Sequence, residues 1–60
     1  MSQVLRFIAW AAGQAWKYGS RAVTAAGNWA RNNWSTTKRL LDTIGYVATL
    51  EYILRILGFM

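Results

Sequence analysis

The chain has no cysteine, no proline and no histidine, and only two acidic residues, Asp42 and Glu51, among its 60. Without cysteine no disulfide can staple it, and without cysteine or histidine the usual ligands of a structural zinc site are missing. A domain of this size buries only about 60% of the surface its unfolded chain exposes. Stability must therefore come from helix packing alone. The lack of cysteine leaves the redox compartment open, since a disulfide-free peptide works inside or outside a cell. With no proline, low-complexity linker or charge block, nothing divides the chain, and residues 1–60 read as a single domain.

Long apolar runs are missing too. The longest uncharged stretch, Phe7 to Trp16, holds ten residues, whereas a membrane-spanning helix needs about 20. Preceded by Arg6 and containing Ala9-Trp10-Ala11, it faintly imitates a secretory signal with a small-residue cleavage site. It makes a better amphipathic helix than a featureless apolar one.

Catalytic machinery has no sequence signature here. There is no Ser-His-Asp set, no cluster of metal-ligand residue types and no phosphate-cradling glycine loop. Asp42 and Glu51 are each expected beside a cation of their own helix, and they share no face. The reading is of no enzyme, no catalytic residue, no metal site and no cofactor.

What is present is positive charge and apolar bulk. Seven Lys and Arg residues give a net charge of +5 and a pI near 10.5. Such a surface seeks polyanions, meaning nucleic acid or anionic lipid. The chain is 55% hydrophobic, with four Trp, three Tyr and two Phe. That is too apolar for a disordered basic tail and richer in aromatics than a minimal core requires, and a lipid surface suits both properties.

Punctuation and periodicity predict an all-α fold, a compact bundle of four short amphipathic helices near residues 3–18, 20–32, 36–45 and 49–57. Gly19-Ser20 supplies a stop and an N-cap, residues 33–37 read as a turn with Ser35 or Thr36 as cap, and Gly45 and Thr49 repeat the pattern. At about 100° per residue, Val4, Leu5, Ile8, Ala11, Ala12, Ala15 and Trp16 share one broad side of the first helix, opposite Gln3, Arg6, Trp10, Gln14 and Lys17. Ala22, Val23, Ala26, Trp29 and Ala30 do the same in the second, opposite Arg21, Thr24, Asn28 and Arg31. Leu40, Leu41 and Ile44 follow in the third, and Leu50, Ile53, Leu54 and Leu57 in the fourth. These apolar sides are the expected core, with alanines letting the first two helices approach closely.

Trp10 projects among Arg6, Gln14 and Lys17, where a core residue has no reason to be. It reads as an interfacial anchor, or else as a lone exposed ring stacked on a neighbouring cation. Trp16 and Trp29 read as core, and Trp34, placed in a turn, as partly exposed. Arg6, Lys17, Arg21, Arg31, Lys38 and Arg39 lie on polar sides; individually they are solvated, and together they can recruit the chain to an anionic membrane.

The stretch Lys17-Tyr18-Gly19-Ser20-Arg21-Ala22-Val23 resembles the Lys-Tyr-Gly-x-basic-Ala-Val element of the leaderless class II bacteriocins of the aureocin and lacticin Q group. Leu40-Leu41-Asp42, followed by Glu51-Tyr52-Ile53 and Ile56-Leu57-Gly58, is similar to that family's closing helix. The segment from Ala25 to Lys38 departs from it, with Asn and Thr where relatives tend to carry lysines. The resemblance implies a saposin-like arrangement of the four helices, synthesis without a leader so that Met1 is retained, and secretion. It also implies permeabilisation of target membranes, mainly of Gram-positive bacteria, without an obligatory protein receptor.

The expected partner is therefore the anionic lipid membrane of target bacteria, contacted by Arg6, Trp10, Lys17, Arg21, Arg31, Trp34, Lys38 and Arg39, with nucleic acid not expected. Two alternatives differ in class: a small membrane-associated lysis or toxin peptide acting inside the cell, and a small nucleic-acid-binding module. The second lacks a recognisable motif, and its cations are spread over several helices.

Overall fold

The start of the first helix is written into Ser2, whose hydroxyl accepts from the Leu5 backbone N–H at 3.2 Å and caps the helix. The computed structural model describes residues 2–60; Met1, expected to be retained, lies outside them. It contains α1 (Gln3–Ala12), α2 (Ala15–Tyr18), α3 (Ser20–Asn32) and α4 (Trp34–Leu57). The protein is an all-α bundle of helices packed against one another. α1, α3 and α4 pack mutually, and α2 lies on α3.

The expected helix over residues 3–18 is broken. At Gly13 and Gln14 the winding tightens, with Gly13 N–H donating to the Trp10 carbonyl at 3.1 Å and Gln14 N–H to that of Ala11 at 2.9 Å. These three-residue closures end α1 and leave α2 as a separate single turn. α3 starts and stops where the sequence placed it. The junction is made by Gly19, at φ 91 and ψ 147, which takes the N-cap position itself, while Ser20 is the first helical residue.

The turn expected over residues 33–37 is reduced to Asn33, and neither Ser35 nor Thr36 caps α4. Thr37 does the joining: its buried hydroxyl donates to the Asn33 carbonyl at 2.8 Å, with the Ala30 carbonyl at 3.4 Å. This fastens the end of α3 to the start of α4. The two expected helices over 36–45 and 49–57 meet without a loop as α4, which bends at Gly45 (φ 81, ψ −177). Gly45 occupies a backbone region open essentially to glycine alone. The far end closes on Gly58 in the left-handed conformation: Phe59 N–H donates to the Leu54 carbonyl at 2.9 Å and Gly58 N–H to that of Arg55 at 3.2 Å. That pair of bonds is a Schellman cap.

The core draws on three helices. α1 contributes Val4, Phe7 and Ala11; α3 contributes Ala22, Val23, Ala26 and Ala30; α4 contributes Leu41, Leu50, Ile53 and Leu54. Ile8 and Trp29 are packed against it from the edge, and Ala15 and Leu40 are half-buried. Of the expected core, Leu5, Ala12, Trp16, Ile44 and Leu57 are instead exposed. Two of these have one cause. The buried sector of α1 is centred between Phe7 and Val4 rather than on the alanine and leucine side, a rotation of roughly 60° at 100° per residue. Leu5 (43% exposed) and Ala12 therefore swing outward, while Trp16 lies past the break, on the separate turn α2, whose inward side is Ala15 and Tyr18. Ile44 sits at the corner made by Gly45 and Leu57 beside the terminal cap, where a helix has neighbours on fewer sides.

Small residues set the α1–α3 spacing. A Cβ placed on Gly27 would meet only Ile8 Cγ2, at 3.5 Å, an ordinary contact. Gly27→Ala should raise stability by about 0.5–1 kcal/mol through helix propensity. Gly45→Ala should lower it by about 1–3 kcal/mol, because alanine resists the required φ. Urea unfolding of both variants beside the parent checks the opposite signs.

Among the described residues, one buried side-chain polar atom is unmatched. The hydroxyl of fully buried Thr49 has no hydrogen-bond partner. Leaving such a group unpaired costs about 1–3 kcal/mol. Thr49→Val keeps the branched shape without the oxygen and should stabilise the fold by about 1 kcal/mol, seen as a higher thermal midpoint with unchanged helical circular dichroism.

Candidate membrane-binding surface

All the cations named from the sequence reach solvent: Arg6 from α1, Lys17 from α2, Arg21 and Arg31 from α3, Lys38 and Arg39 from the first half of α4, with Arg55 exposed in the second half. Their distribution along the chain is lopsided. Six of the seven precede Asp42, the first acid in the sequence. α1, α2 and α3 therefore carry positive charge with no carboxylate of their own.

The aromatics divide differently from expectation. Trp10 does not stand out among cations. Its ring is stacked on Phe7 (centroids 6.1 Å apart, 28° between planes) and tilted against Tyr46 (5.5 Å, 59°), while Phe7 and Tyr46 meet edge to face at 5.8 Å. This three-ring cluster ties α1 to α4 just past the Gly45 bend. The reason is the same rotation: once Phe7 is driven inward, Trp10, one turn on, follows it to the edge of the core. Phe7 was legible as a member of the Val4, Phe7, Ala11 helical stripe, yet the alanine-rich side obscured it.

Trp16 is reversed in the other direction. Expected in the core, it is 82% exposed on the single turn of α2. Ala15 and Tyr18 of that turn face inward and are half-buried, while Trp16 and Lys17 face out. Lys17 Nζ lies 5.3 Å from the Tyr18 ring centroid, in cation–π range. Trp34, 40% exposed, is the first residue of α4 rather than part of a loop.

Other apolar side chains reach solvent in the second half of the chain. Ile44 (44% exposed) and Val47 flank the Gly45 bend, Tyr52 and Ile56 lie one turn apart on the outer side of α4, and Phe59 and Met60 follow its cap. Between α1 and α3 a cleft of ≈ 160 Å³ has apolar walls from Ile8, Ala12, Val23 and Gly27, with Asn28 and Arg31 also lining it. Among the described residues no helix is long and apolar enough to cross a membrane.

Compared with protein-family models, curated proteins and solved structures, the chain matches none of them.

The two tryptophans of this N-terminal region separate cleanly by role in stability. Trp10→Ala should cost at least about 2 kcal/mol, from lost aromatic contacts and a partly open cavity. Its effect on the thermal midpoint tests whether the three-ring cluster holds α1 to α4.

Proposed function

We propose that the protein is a membrane-permeabilising antimicrobial peptide of the leaderless bacteriocin type, secreted and acting on the anionic membranes of target bacteria. The observation that carries this reading is the surface itself: exposed cations, without acids through the first three helices, interleaved with exposed Trp16 and Trp34 and the apolar side chains of α4. Cations near an anionic bilayer contribute about 1 kcal/mol each, enough to concentrate the peptide there but not to insert it. Insertion draws on aromatic and aliphatic side chains entering the interface.

The folded bundle is too small to line a passage on its own. Its Cα atoms extend 24 × 21 × 19 Å, against a hydrocarbon core about 30 Å thick. Permeabilisation on this reading follows rearrangement at the interface: apolar surface now shared between helices is turned toward lipid. The bend at Gly45 gives the chain a point at which the two halves of α4 can part, and the unmatched Thr49 hydroxyl lowers the cost of opening the core there.

Dye-loaded vesicles test the proposal. Phosphatidylglycerol vesicles should leak at peptide concentrations that leave phosphatidylcholine vesicles intact. The double substitution Lys38→Gln and Arg39→Gln should weaken binding to the anionic vesicles by up to about thirtyfold, following the contribution of each cation. Equal leakage from both lipids, or none from either, counts against the reading. Binding to oligonucleotides without binding to vesicles would favour the nucleic-acid alternative.

A further inference from the structure

We infer that the α2 corner, with Trp16 at its tip, is the edge by which the folded protein first enters an anionic lipid interface. This rests on the membrane reading above and names its leading contact, in place of Trp10.

Among the described residues Trp16 is the most exposed of the large apolar side chains, and the turn beneath it is held by defined contacts. α2 is a single turn held between the tight winding at Gly13–Gln14 and the Gly19 junction, where Gly19 N–H donates to the Ala15 carbonyl at 2.7 Å. Tyr18 packs against the core from the inner side of the turn. The indole is thus carried outward on a seated pedestal rather than on a loose loop. An indole offers about 150–250 Å² of largely apolar surface with one N–H donor, a combination suited to the boundary between acyl chains and water.

Its surroundings select the partner. Lys17 adjoins it, and Arg21 is exposed at the start of α3, just across the Gly19 junction. No acidic residue occurs before Asp42. A second copy of the chain would bring the same unbalanced cations face to face, and a single protruding ring supplies far less than the roughly 1,000 Å² of a specific protein interface. An anionic lipid surface satisfies both the charge and the ring, because phosphates pair with the cations while the indole needs no preformed pocket.

Tryptophan fluorescence with brominated lipid locates the contact. Vesicles of phosphatidylglycerol with bromine on the acyl chains should quench the parent protein, and Trp16→Phe should remove most of that quenching, whereas Trp34→Phe should keep most of it. Trp16→Ala should reduce partitioning to these vesicles by about tenfold or more while leaving the thermal midpoint unchanged, since the side chain supports little of the core. If the parent is quenched and Trp16→Phe is quenched equally, this inference is overturned and the membrane reading stands. If the parent is not quenched at all, the membrane reading fails and takes the inference with it. A concentration-dependent dimer in sedimentation that Trp16→Ala abolishes, or quenching by single-stranded oligonucleotide in place of lipid, would assign the corner to another partner and overturn it.

Discussion

The burial of Phe7 is the constraint from which the rest of the arrangement follows. Its ring is fully enclosed, and enclosing it fixes the rotation of α1 about its own axis. Val4 and Ala11 are drawn in on the same stripe, and Trp10 is carried to the core edge, where it meets Tyr46. The opposite side, with Leu5 and Ala12, is turned to solvent. A helix whose apolar residues cover more than half its circumference has several amphipathic solutions. Here the one that buries the largest ring prevails, because burying an aromatic removes more apolar surface from water than burying alanines.

Two glycines divide the chain in a way that local pattern reveals well. Gly19 and Gly45 both take positive φ with extended ψ, conformations that any side chain would resist, and each lets one helix follow another at a sharp angle without a loop. The short connections leave little backbone outside helices, which matters in a chain with so small a core, since loop residues are ordered without burying apolar surface. Gly13 plays a different part. Its φ is ordinary, and it breaks α1 from α2 only because the turn winds more tightly there.

Legibility in the sequence tracks how one-sided each segment is. α3, with cations and amides on one side and Ala22, Val23, Ala26 and Ala30 on the other, folds over the expected residues with the expected side inward. Leu50, Ile53 and Leu54 are equally unambiguous and are fully buried. α1 was legible as a helix but not in rotation, because deciding between Leu5 and Phe7 requires knowing that Tyr46, far along the chain, comes to meet the ring. Trp16 is misplaced because its side is reckoned along one helix over residues 3–18, whereas it sits on the separate turn α2. Thr37 and Thr49 carry no local sign of burial; their positions depend on where α3 ends and on the bend at Gly45. The cations were the simplest to place, as charged side chains without buried partners must reach water.

Charge and packing also pull against each other in a way that bears on how such a fold would respond at a membrane. Six cations within the first 41 residues repel one another in the compact state, a self-repulsion that lowers stability and that counter-ions relieve. The core that opposes it contains an unmatched hydroxyl at Thr49 and many alanines, each burying little surface. On the membrane reading proposed above, anionic lipid would act on both sides of this balance. It would neutralise the repulsion, which alone favours the closed bundle, and it would offer Leu50, Ile53, Leu54 and the alanine faces, all buried in the closed bundle, an apolar medium outside the protein, which favours opening. A lipid can shift the equilibrium only by its differential affinity for the two states. The second effect must therefore exceed the first for the bundle to open, and it grows with every apolar side chain that reaches the acyl region. On the proposed membrane reading, charge would bring the folded protein to the surface, and the apolar area exposed on opening would decide whether it stays folded there.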